Sequence, residues 1–345
     1  MFKSSKNDMF KSFLKFSNKE EKNQVEKLRD ISGSGCERPW KSKKMANMEL
    51  AKIYYRVDIG VDERGKSRGE KKAVRLEKCA VFLVFALLTS GRKRLKKMSS
   101  CRVRLCPVCN WRRGLKIFYH MKKIMEYMEK HCDYRYIMVT FTVRNCEGDK
   151  LSGTIDKMLN GFNRMMSNNK QVKRVVKGYY RGFEVTRNKE NGTYHPHIHC
   201  IFAVYKSYFT ESESYITQKQ FSEYWQEYAK LEYVPIVDVR KIYGTTVEAV
   251  SEVAKYAVKE GDYVIPEDVG LSVEIVGELD GALHKRRFVA YGGEFKRVHK
   301  ELNLDDTEGG DLVEVGEEES CGEDNGEEVY VWCVGYVEYV RGVVG

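Results

Sequence analysis

The chain has 345 residues, room for one large domain or two ordinary ones with a sizeable core. Its 42% hydrophobic and 32% charged residues are those of a globular protein, and the longest apolar run, Cys79–Leu88 (CAVFLVFALL), is too short to span a bilayer. The N-terminal MFKSSKNDMFKSFLKF has neither a continuous apolar core nor a small-residue cleavage site, which argues for the cytoplasm and against a membrane partner.

The formal charge of +10 hides an asymmetry. From Glu301 onward there are 14 Asp/Glu and one basic residue, Arg341, so residues 1–300 carry 59 Lys/Arg against 36 Asp/Glu, a net +23. A body that basic favours polyanions, because each phosphate contact releases condensed counterions. The acidic stretch could screen the body, occupy a basic groove, or serve solubility.

In chain order, residues 1–45 are polar, Lys/Ser-rich and without periodicity, which predicts disorder or a loose helix. Met45–Val57 reads as a helix and Asp62–Lys72 (DERGKSRGEKK) as a basic loop. Apolar residues recur at helical spacing through Trp111–Lys130, with basic residues between them; this helix and the 62–72 loop are candidate DNA contacts. Tyr134–Val143 is β-branched and aromatic, a strand, and a helix follows over Leu151–Asn168. Tyr179–Thr186 and Tyr194–Val204 read as strands joined by RNKENGT, whose Asn191-Gly192 marks a hairpin turn. Helices are expected over Gln218–Tyr228 and Thr246–Lys259. Shorter strands, a Gly292-Gly293 turn, the acidic stretch and a last strand (VYVWCVGYVEYV) are expected after Asp262. Strands alternating with helices around a tight hairpin predict an α+β fold with a largely antiparallel sheet.

Three of the seven histidines, His195, His197 and His199, alternate within TYHPHIHCIF, so on a strand they share one face. Rings at that spacing can meet one ion. Glu184, the acid on the partner strand, falls roughly opposite His197 or His199 and tilts the set towards Mg²⁺ or Mn²⁺. Apolar Phe183 and Val185 flank Glu184, where an isolated carboxylate is costly without a cation. His195 is the weakest ligand candidate, because Pro196 interrupts the ladder beside it. The plainer interpretation is a set of hydrogen-bonded surface histidines.

In TVEAVSEVAKYAVK (Thr246–Lys259), Val247, Val250, Val253, Ala254, Ala257 and Val258 form one apolar arc. Glu252 and Tyr256 are i,i+4 neighbours on the other side and can reach one reacting centre. A tyrosine hydroxyl can attack a phosphodiester, and a neighbouring carboxylate can take its proton or later activate a water. Lys255 and Lys259 would favour the phenolate and contact the phosphate. With 22 tyrosines, such a pair arises readily by chance, and its weight comes from the upstream histidines.

Ten cysteines in a reducing compartment do not form structural disulfides. Cys106 and Cys109 make a CxxC, and Cys79 and Cys101 could complete a Cys₄ zinc knuckle; redox chemistry is the rival. Four thiolates would leave the zinc no open position, so no catalytic role is assigned to it.

These motifs together resemble the rolling-circle replication initiator (Rep) proteins of small bacterial plasmids, within the HUH endonuclease superfamily. IMVTFTVRN is similar to the family's first motif, GYYRGFEVTRNKENGTYHPHIHCIF to its metal-binding motif, and EVAKYAVKEGDY to its tyrosine motif. RLCPVCNWRR, RRFVAYGGEFK and LNLDDTEGGDLVEV also resemble family segments. Val143 stands where a Thr-like residue is more usual. The resemblance implies an HUH fold with the histidine strand central in an antiparallel sheet. It also implies nicking of the double-strand origin by Tyr256, a metal on His197, His199 and Glu184, and Glu252 activating the terminating water. Origin DNA, a host helicase and a DNA polymerase are the implied partners. The implied layout is a flexible basic segment 1–45, a Cys-rich DNA-binding region 46–132, a nickase domain 133–300 and an acidic segment 301–345.

Three other readings compete. HPHIHCI also resembles the histidine-triad nucleotide hydrolases, but that leaves Glu252, Tyr256 and the basic body unexplained. Conjugative relaxases share the metal site but usually place their tyrosine before the histidines. A zinc-stabilised DNA-binding regulator would need no catalysis at all.

Overall fold

The computed structural model describes residues 26–242, 250, 260–316 and 322–342. Two antiparallel sheets share one apolar core. The first has the order β2-β1-β8-β9, from β1 (Phe82–Leu88), β2 (Lys93–Met98), β8 (Asp324–Cys333) and β9 (Glu338–Arg341). The second has the order β6-β3-β5-β4-β7, from β3 (Tyr134–Thr142), β4 (Val176–Arg187), β5 (Tyr194–Tyr205), β6 (Val237–Lys241) and β7 (Val289–Gly292). The histidine strand β5 is therefore central, in an α+β fold, as expected.

Alternation along the central strands separates two faces. Ile137, Val139, Phe141, Ile198, Cys200 and Phe202 face a core shared with α4 (Gly148–Asn168), α6 (Gln218–Tyr228) and α7 (Val269–Ala282). Tyr136, Met138, Tyr180, Ile201 and Ala203 face a second cluster under α3 (Pro107–His131) and α8 (Gly293–Glu301), which also holds the buried Val250. By the two-residue period, the second face is the one that carries Thr140, Glu184, His197 and His199.

Several elements differ from the sequence reading. Helix α1 (Trp40–Tyr54) begins five residues before Met45, because Asp30 accepts hydrogen bonds from both Arg38 and the Trp40 indole and fixes the entry. The 62–72 loop gives way at Arg68 to helix α2 (Arg68–Glu77), capped by the Ser67 hydroxyl, which accepts from the Glu70 amide. Where short strands were expected after Asp262, α7 forms instead: Asp268 caps it, and Ser272, Ile275, Val276 and Leu279 bury one face at helical spacing. The last strand is a hairpin, β8–β9, which adds to β1. The short α5 (Lys170–Val175) links α4 to β4.

Candidate metal centres

The β4–β5 ladder places Glu184 directly opposite His197 and Gly182 opposite His199. Its turn uses Gly192 at φ +76°. One carboxylate oxygen, Glu184 Oε2, lies 3.1 Å from His197 Nε2 and 3.3 Å from His199 Nε2. Burial would raise the Glu184 carboxyl, but hydrogen bonding and charge from His197 and His199 outweigh it and hold it well below the usual carboxylate range.

The second ring nitrogen fixes the tautomer of His197. His197 Nδ1 lies 3.1 Å from the His195 carbonyl, which can only accept, so Nδ1 carries the proton. In the neutral ring Nε2 then presents a lone pair to a carboxylate oxygen. Two acceptors at 3.1 Å require something positive between them: a further proton or a metal ion. His199 Nδ1 has Thr140 Oγ1 at 3.1 Å, from the neighbouring β3. Ligands on adjacent corners of an octahedron with bonds of about 2.1–2.2 Å stand about 3.0–3.1 Å apart, so the 3.1 and 3.3 Å separations suit a small divalent ion.

Of the histidines named from the sequence, His197 and His199 join Glu184 in a group whose ligand atoms lie within 4.8 Å of one another. His195 is outside that group. Its ring centroid is 5.5 Å from that of His197, and its contribution is the carbonyl that orients His197. Pro196 pairs with Val185 without a break in the ladder. Glu252, Lys255, Tyr256 and Lys259 lie outside the described residues.

Cys79, Cys101, Cys106 and Cys109 form the second group, all buried. Cys79 Sγ is 3.6 Å from Cys106 Sγ and 3.7 Å from Cys109 Sγ, and Cys101 Sγ is 3.8 Å from Cys109 Sγ. Four sulfurs at about 2.3 Å around a tetrahedral ion would stand about 3.8 Å apart, so the set fits zinc. The irregular spacing is resolved by structure: Cys79 follows α2, Cys101 follows β2, and Cys106 is the N-cap of α3 with Pro107 at its first position.

Sequence reasoning missed Lys44. This side chain is fully buried, donating to the carbonyls of Glu77 (2.8 Å) and Cys79 (2.7 Å). Burial pulls its ammonium down, and the nearby Cys79, Cys106 and Cys101 thiols pull the other way. A buried cation needs an anion nearby, and a tetrathiolate site with one Zn²⁺ carries a net negative charge. Thr140 was also missed, although it stands in the strand motif; its role follows only from cross-strand register.

The basic helix α3 does not present all of its cations to solvent. Arg112, Arg113 and Lys116 are buried. Arg112 Nε donates to the Leu312 carbonyl and Lys116 pairs with Asp305, so these cations tie the acidic stretch to the body. Arg287–Asp306 (2.7 Å) and Arg104–Glu308 (3.3 Å) continue the attachment.

The family model described as Replication protein matches residues 92–340, well over half of the chain. The chain belongs to this family of rolling-circle plasmid replication initiators. It is similar to a protein rep of Bacillus amyloliquefaciens, 39% identical over 316 residues, which span 85% of this chain and 90% of that protein. A protein rep of Streptococcus pneumoniae is 35% identical over 298 residues, 84% of this chain and 88% of the relative. A replication protein of Staphylococcus aureus is 35% identical over 218 residues, 61% and 92%. No solved structure matches. Among the described residues of this initiator, no helix is long and apolar enough to cross a membrane.

Proposed function

We propose that the protein cuts one strand at its plasmid's double-strand origin by transesterification and frees a 3′-OH that primes rolling-circle synthesis. The single observation that carries this reading is the confrontation of His197 Nε2 with Glu184 Oε2 at 3.1 Å, which calls for a cation in a family of DNA replication proteins. Glu184, His197 and His199 would hold Mg²⁺ or Mn²⁺, whose chemistry is Lewis-acid polarisation of a phosphate oxygen. The His195 carbonyl and the Thr140 hydroxyl orient the two rings.

Tyr256 Oη attacks the scissile phosphorus and the P–O3′ bond breaks. The 5′ phosphate stays on the tyrosine, and the 3′ oxygen takes up a proton and leaves as a hydroxyl. Glu252 serves as base, receiving the phenol proton or activating the water of the terminating cleavage. Lys255 and Lys259 favour the phenolate and contact the phosphate. Support for bringing Tyr256 to the histidines comes from Val250, six residues earlier. It is buried with Met138, Tyr180 and Ile201 on the histidine-bearing face.

The four cysteines would hold a structural Zn²⁺, with Lys44 balancing its charge. In this layout residues 133–300 form the nickase unit, residues 46–132 the Cys-rich DNA-binding region, and origin DNA, a host helicase and a DNA polymerase are the partners in the cytoplasm.

The test uses a labelled single-stranded origin oligonucleotide, Mn²⁺ and a denaturing gel. A covalent protein–DNA adduct is expected, absent in Tyr256→Phe. A Phe variant that nicks normally overturns the nucleophile. In Glu252→Ala the adduct still forms while its water-dependent release slows.

A further inference from the structure

A cleft of about 440 Å³ opens between α2, the loop after β2, the C-terminal end of α7 and the chain before β7. Seven Lys/Arg side chains line it against three carboxylates, a cationic excess in a confined space. Three of its five guanidinium groups are held in place by backbone carbonyls: Arg75 donates to Cys101, Arg102 to Gly309 (2.8 Å) and Arg104 to Arg286 (2.6 Å). Cations fixed in this way lose little freedom when an anion arrives.

A second, independent feature points the same way. Arg102 (φ +55°) and Lys285 (φ +54°) both adopt the left-handed backbone conformation, and both are exposed at this cleft. Glycine or asparagine would take that conformation at lower cost. Strain of this kind clusters at functional sites, and here it presents a positive charge on each side of one opening.

We propose that the cleft binds the phosphate backbone of double-stranded DNA beside the cleavage point, as a site separate from the metal centre. Among the described residues no Phe, Tyr or Trp lines it, and His284 is the one ring present. That suits a duplex, whose stacked bases offer only phosphates and grooves, better than a single strand, which is usually held on stacking platforms. The cleft meets the nickase sheet at Arg287: the Phe183 amide donates to the Phe288 carbonyl, one residue before Glu184 on β4. Duplex held in the cleft would thus lie beside the strand that carries Glu184. This inference rests on the chain's family and its DNA substrate, and it is independent of Tyr256.

Lys285 gives a clean test, because glycine relieves its backbone conformation while removing its charge. The measurement is equilibrium binding, over a range of salt concentrations, to a linear duplex carrying the plasmid's own origin and to a scrambled duplex of equal length. Lys285→Gly is expected to keep or raise the thermal midpoint and to weaken both duplexes to a similar extent. The slope of log K against log salt should fall by about 1. Lys285→Arg should restore the slope. Arg102→Gly should behave like Lys285→Gly, and the double variant should lose about 2 from the slope. Unchanged slopes in the stably folded double variant overturn the proposal, as does a loss confined to a single-stranded oligonucleotide of the same origin sequence titrated alongside. Because no cleavage is measured, failure here leaves the nicking mechanism standing, and failure of the Tyr256 test leaves this site standing.

Discussion

Thr140 Oγ1 lies 3.1 Å from His199 Nδ1, joining the edge of the metal trio to the neighbouring strand of the same sheet. The hydroxyl sets the ring so that Nε2 points at Glu184 Oε2. Thr140→Val keeps the shape of the side chain and removes only that contact. Outer partners of this kind typically account for 10–100-fold in metal affinity, so Mn²⁺ binding should weaken by about tenfold or more with the fold intact. Titration calorimetry with Mn²⁺ checks it, and equal affinities for variant and parent would sink the assigned role.

Lys44→Met probes the cysteine group. If the four sulfurs form an anionic zinc site, removing the buried ammonium leaves that charge uncompensated, a change that typically costs about 3–5 kcal/mol. Zinc should then pass to a competing chelator sooner than from the parent protein, and the unfolding midpoint should fall. With four neutral thiols the variant would lose only the hydrogen bonds to the Glu77 and Cys79 carbonyls, a smaller cost of about 1–3 kcal/mol, and no zinc would be found in either protein. Metal analysis together with thermal unfolding separates the two outcomes.

His120 predicts an acid limb in stability. Burial pulls its imidazole down to about 4, with the Lys116 charge adding to the effect against Asp305. Between roughly pH 6.5 and 4 the unfolded chain therefore binds a proton that the folded chain refuses, so stability falls as pH falls through that window. The loss at about pH 5 should be on the order of 2 kcal/mol. His120→Gln should lose correspondingly less between about pH 7.5 and 5 in urea unfolding. Parallel losses in the two proteins would refute the assignment.

Gly293 joins β7 to α8 at φ +53°, and a Cβ there would stand 2.1 Å from the Lys177 carbonyl oxygen. Gly293→Ala should therefore cost at least about 1–3 kcal/mol. Thermal unfolding reads this directly, and an unchanged midpoint would show that the junction relaxes.

The β4–β5 hairpin was legible because three signals agreed: alternating histidines, an Asn-Gly turn and one acid flanked by apolar residues. Its register then followed from counting. Helix α7 was not legible, since VGLSVEIVG is rich in β-branched residues and the pattern Ser272, Ile275, Val276, Leu279 carries a polar member; tertiary packing decided it. Lys44 could not have been found, because the anion it answers is built from residues 35 to 65 positions further along the chain. The burial of Arg112 and Lys116 on α3 was hidden for a related reason. Arg112 and Lys116 look exposed until the Asp305–Val313 segment folds over them.

The first sheet is made from the two ends of the described chain: β8 pairs with β1, and the Tyr339 hydroxyl donates to the Ala80 carbonyl across 259 residues. During synthesis at about 5–20 residues per second, β1 waits on the order of tens of seconds for the strand that covers its open edge. Until the ribosome reaches that strand, the nascent chain carries an unpaired Phe82–Leu88 edge, an aggregation hazard that a chaperone would be suited to shield. An initiator finished in this way gains a complete cysteine-side sheet only once residues 324–341 have been made, so copies truncated before them would lack it.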